Sequence, residues 1–75
     1  MEQLLEILEE IDESIDWKNE EALIDDHVLD SLSVVSLIAE LEEQFDIEIE
    51  AAEIIPPNFN SARAMWEMIT RLQEN

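Results

Sequence analysis

The sequence predicts an all-α fold: a small bundle of four helices, three long and one short, with a long loop between the first two. One domain over residues 1–75 is expected. Three observations predict this. Apolar residues recur at steps of three and four in three separate segments. No two alternating segments are joined by a hairpin turn. A chain of 75 residues can build one core while burying only about 60% of its unfolded surface, which leaves little room for an enclosed active site.

The first helix is expected from about Glu2 to Asp12, where Leu4, Leu5, Leu8 and Ile11 fall at helical spacing beside Ile7, and it should fray out by Ser14. From Ile15 to Leu29 the period disappears. Isolated apolar residues (Trp17, Leu23, Ile24, Val28 and Leu29) alternate with polar ones there, as in a long loop tied down at several points. The second helix opens at Asp30, whose carboxylate suits both the free backbone donors and the positive end of the helix dipole. Its core stripe is Val34, Leu37, Ile38, Leu41 and Phe45. The short helix is expected in AAEII, one or two turns long, before Pro56 and Pro57 stop it. Phe59 then offers an anchor, Asn60 or Ser61 a cap, and Ala62, Met65, Trp66, Ile69 and Leu72 the buried face of the last helix. A short strand in DIEIE is the competitor, with nothing to pair against.

Composition narrows the function. The apolar share, 47%, is ordinary for a globular protein, although 21 acidic residues face only Lys18, Arg63 and Arg71. A net charge of −18 repels phosphate backbones and anionic membranes and speeds encounter with basic partners, so neither nucleic acid nor stable membrane insertion is expected. The chain has no cysteine, hence no disulfide and no thiolate metal site, and any thiol chemistry must be imported. No apolar run has the length of a membrane span, and MEQLLEILEE is acidic where a signal peptide is basic. The chain therefore reads as cytoplasmic and complete, and as a monomer.

Helix two carries more apolar residues than its core stripe requires. Leu32, Val35 and Ala39 form a second set, roughly 130° away at about 100° per residue, with Ser31 at its N-terminal end and Glu40 and Glu43 beside it. Scattered exposed apolar residues are common. An apolar strip rimmed by carboxylates is also what a docking face for a basic partner requires. Nucleophilic catalysis by Ser31 would need an oriented base, and the one histidine, His27, lies four residues upstream with no structural reason to reach back. A serine modified by another enzyme needs only exposure and a helix start that welcomes a phosphodiester.

The tripeptide Asp30-Ser31-Leu32 resembles the attachment motif DSL of the acyl carrier protein family. LIDDHVLDSLSVVSLIAELEEQFDIEIE is similar to that family's loop, attachment site and second helix, and PPNFNSARAMWEMI to the segment leading into its last helix. The resemblance covers roughly residues 4–72. It implies an acyl-carrier-like bundle with 4′-phosphopantetheine on the Ser31 hydroxyl, installed from coenzyme A by a phosphopantetheinyl transferase, magnesium being needed only by that transferase. The arm would carry an acyl or aminoacyl group as a thioester between partner enzymes, the carrier itself catalysing nothing. It also implies partner recognition at Asp30, Leu32, Val35, Glu42 and Glu43. The direct reading of the helix supports Leu32, Val35 and Glu43 better than Glu42, which lies nearer the core edge, and adds Ala39 and Glu40.

Two departures stand out. His27 occupies a place where the family often has glycine, and histidine adopts positive φ less freely. Ser36 stands where fatty-acid carriers usually have an acid. The VLDSL opening and PPNF look more like D-alanine carriers or free-standing peptidyl carriers, whose partners are an adenylating ligase or acyltransferase with a basic docking surface. No metal site is expected: Asp25, Asp26 and Asp30 lack the glycine and spacing of a calcium loop. The alternative reading is an unmodified acidic helical adaptor that binds a basic partner through helix two.

Overall fold

The computed structural model describes residues 1–74. The elements are α1 (Glu2–Ile11), α2 (Ser31–Phe45), a 3-10 turn (Ala51–Glu53), α3 (Pro56–Phe59) and α4 (Ala62–Gln73). The three long helices pack on one another pairwise, and α3 packs on α4. Leu4 and Leu8 of α1, Leu37 and Leu41 of α2, and Met65 and Ile69 of α4 are completely buried in one core. Each such side chain contributes about 1.5–3 kcal/mol of transfer free energy.

The loop from 12 to 30 has no regular element but is anchored throughout. The Trp17 ring is buried, and its indole N–H donates to the Asp12 carbonyl at 2.9 Å, which satisfies the polar end of an otherwise apolar anchor. Leu23 and Leu29 are buried as well, while Val28 stays exposed. Between them the Asp26 N–H reaches the Ala22 carbonyl at 2.8 Å, a single helical turn. His27 follows with φ 56, so the left-handed backbone that suits glycine is adopted here by histidine.

Helix α2 ends in a left-handed residue, Asp46 (φ 52). The N–H groups of Asp46 and Ile47 both turn back to the Glu42 carbonyl, the first at the helix cap and the second at 3.2 Å. DIEIE forms no strand. It is irregular chain, held in place because the Ile49 side chain is buried and its N–H donates to the Glu42 carboxylate at 2.9 Å.

The short helix is not where the sequence places it. AAEII contributes only the 3-10 turn, and the α-helical turn is PPNF itself. Proline breaks a helix from within, but at the first helical position its missing N–H has no partner to lose and its fixed φ is already helical. Pro56 and Pro57 therefore start a helix instead of stopping one. In α4 the Ser61 hydroxyl caps the Ala64 N–H at 3.0 Å. Met68 joins Met65 and Ile69 inside, while Trp66 sits at the rim, edge-on to Phe45 with ring centroids 6.0 Å apart. Arg71 grips Glu53 with two hydrogen bonds, 2.6 and 2.9 Å, and so ties the 3-10 turn to α4.

Candidate functional site

Asp30 is the N-cap of α2, with extended backbone (φ −93, ψ 176) and a carboxylate that accepts the Ser33 N–H at 2.8 Å. The hydrogen bonds from Ser33 hold the Asp30 carboxyl below the usual range. Asp30 thus supplies the side-chain cap of this helix end. Ser31, the first residue of the helix, is exposed, and among the described residues its hydroxyl has no hydrogen-bond partner.

Beneath Ser31 lies an open apolar groove of about 370 Å³ between α2 and the chain leading into α3. Val34, Val35 and Ile38 form one wall, and Ile54, Ile55 and Phe59 the other. Ile54 and Ile55 are 42% and 46% exposed, unusual for two adjacent isoleucines in so small a core, so the groove continues into an apolar rim. The sequence places these two residues in a short helix, whereas the structure sets them along the groove. The available signal was that AAEII is followed at once by two prolines, which leaves its isoleucines no full helical face to bury.

The second apolar set of α2 does face outward: Leu32 is 78% exposed, Val35 64%, and Ala39 is exposed. It forms a ridge and not a single strip. Val35 leans over the groove towards α3, whereas Leu32 and Ala39 border a second furrow on the α1 side together with Ile7, Ile11 and Glu40. Glu43 is exposed and Glu40 partly so. Glu42 is partly buried and already engaged by the Ile49 N–H, in keeping with its place nearer the core edge. His27 lies on the loop and, among the described residues, makes no side-chain hydrogen bond towards Ser31.

An exposed, unpartnered hydroxyl at the positive end of a 15-residue helix can accept a phosphodiester, and the apolar groove beside it can take a flexible arm; the residues fit the group. Among the described residues no base is hydrogen-bonded to the serine, and the arrangement suits modification by another protein.

Comparison with known proteins points the same way. Residues 2–69 match the family described as phosphopantetheine attachment site. The D-alanyl carrier protein of Streptococcus sanguinis (strain SK36) is 38% identical over 72 residues, 95% of this chain and 91% of that one. Those of Streptococcus gordonii and Streptococcus mutans serotype c are 36% and 38% identical over the same shares.

Proposed function

The chain belongs to the phosphopantetheine attachment family, a carrier and not an enzyme, and from that premise we propose that Ser31 is the attachment residue and that the cargo is an amino acid, D-alanine first. The observation that carries the site is the exposed Ser31 hydroxyl, left free because Asp30 has already capped the helix. The names of the similar carriers support the cargo. Family membership does not favour the unmodified adaptor.

When bound, the arm supplies a thiol that holds the cargo as a thioester. The chain's own residues present and orient. Asp30 fixes the first turn of α2, so that the Ser31 hydroxyl stands at a rigid helix start. Leu32, Val35 and Ala39 offer apolar contact, and Asp30, Glu40 and Glu43 a negative rim, to the phosphopantetheinyl transferase and then to an adenylating ligase with basic docking surfaces. Glu42 contributes negative charge from the edge of this surface while holding Ile49. No helix among the described residues is long and apolar enough to cross a membrane.

The test is intact mass after incubation with coenzyme A and a broad-specificity phosphopantetheinyl transferase. The wild-type chain is expected to gain one phosphopantetheine and Ser31→Ala none. A gain on Ser31→Ala, or none on the wild type, overturns the assignment. The modified chain is then offered D-alanine, L-alanine and glycine with a D-alanine-activating ligase and ATP; acylation by D-alanine alone is expected, and equal acylation by all three removes the cargo reading.

A further inference from the structure

Two adjacent residues, Asn60 and Ser61, can each cap α4, and only Ser61 does so. Asn60 points the other way. Its side-chain oxygen accepts two backbone N–H groups of the long loop, from Ile24 at 3.0 Å and Asp25 at 3.1 Å. Its side-chain NH₂ donates to the Asp25 carboxylate at 3.2 Å, and its backbone carbonyl accepts the Leu23 N–H at 2.9 Å. One residue thus engages three consecutive residues of the loop from 35 or more positions away.

The clamp leads directly to Ser31. Leu23, held by Asn60 through its N–H, offers its own carbonyl to the Leu29 N–H at 2.9 Å. Leu29 immediately precedes the cap residue Asp30, and Ser31 follows. Between the two ends of this bridge, the His27 N–H closes on the Ile24 carbonyl at 3.1 Å with the backbone left-handed. A left-handed non-glycine residue persists only where its surroundings hold it. Asn60 supplies that hold at Ile24, the residue whose carbonyl His27 needs.

We propose that Asn60 is a positioning residue for the modification of Ser31, acting through the segment Leu23–Leu29 to keep the serine where a modifying enzyme can engage it. The proposal rests on the reading of Ser31 as the attachment residue. Without the clamp the loop samples other arrangements. Only the fraction with the proper one is recognised, so the apparent affinity falls by that fraction while turnover of the bound carrier is unchanged.

The test is steady-state transfer from coenzyme A by the transferase, with the carrier as varied substrate and circular dichroism as the check on folding. Asn60→Ala, which removes the side-chain hydrogen bonds to the Ile24 and Asp25 N–H groups and leaves the backbone bond to Leu23, is expected to raise KM about tenfold with kcat within about twofold of wild type. Ser61→Ala removes the neighbouring helix cap but no bond to the loop, and is expected to keep the wild-type KM although it too lowers the melting temperature. If Asn60→Ala is unfolded, an isosteric pair decides. Asn60→Asp sets two carboxylates against each other and is expected to raise KM about threefold, and adding Asp25→Asn restores the donor and returns KM to the wild-type value. A folded Asn60→Ala with wild-type KM overturns the proposal, as does an equal rise in Ser61→Ala or a rise in Asn60→Asp that Asp25→Asn fails to reverse. In each of these cases the wild type still gains phosphopantetheine; a wild type that gains none removes the site reading itself, and this inference with it.

Discussion

The carboxylate of Asp30 accepts the backbone N–H of Ser33 at 2.8 Å, and the hydroxyl of Ser31 between them is left without a partner among the described residues. Two polar residues at one helix start divide the work: the first satisfies the helix and the second faces outward. Asp30→Ala is therefore expected to lower the melting temperature by about 4–8 °C in a thermal scan, and Asp30→Asn, which keeps the acceptor, by much less. Equal losses in both variants would mean that the charge, and not the hydrogen bond, stabilises this end.

The two apolar faces of α2 should separate cleanly under mutation. Leu37 is completely buried, so Leu37→Ala is expected to cost about 2–5 kcal/mol in denaturant unfolding. Leu32→Ala and Val35→Ala should stay within about 0.5 kcal/mol of wild type and instead raise KM with the transferase or the ligase. Stability losses at Leu32 comparable to those at Leu37 would place that side chain in the core and not on a docking ridge.

Asp46 closes α2 in the left-handed region and sets a negative charge at the negative end of the helix. Glycine has neither cost. Asp46→Gly is expected to stabilise the chain by up to about 1 kcal/mol, read as a higher denaturant midpoint with unchanged slope.

A charge of −18 on a molecule 32 by 24 by 19 Å across is a standing repulsion. Screening reaches about 30 Å at 0.01 M salt, the length of the whole molecule, and about 3 Å at 1 M, the distance between neighbours. Raising sodium chloride over that range should raise the melting temperature steadily. A flat response would show that repulsion persists equally in the unfolded chain.

Arg71 holds the Glu53 carboxyl below the usual glutamate range. A carboxyl with a lowered folded-state pKa adds stability that is present above its unfolded value of about 4.3 and is lost as pH falls through the folded one. The melting temperature of the wild type minus that of Glu53→Gln should thus be positive at pH 7 and shrink towards zero as the pH falls through the lowered folded-state pKa. The gap should be small, because both side chains are partly exposed to water. A gap that widens towards acid would reverse the assigned sign.

The sequence by itself determined the three long helices and the cap of α2 at Asp30, because those depend on side chains three or four positions apart, Leu37 with Leu41 and Asp30 with Ser33, whereas it left Asn60 and Ser61 as equal candidates for the cap of α4. It also determined that the thiol must come from outside, since the chain has no cysteine. Tertiary structure alone decided where the long loop lies, that Pro56 begins a turn, and that Ile54 and Ile55 wall a groove beside Ser31. The reason is one of range. Periodicity records what a residue does for its own helix, whereas a loop amide such as that of Ile24 is satisfied by Asn60, 36 positions away, and nothing in the local pattern of either residue names the other.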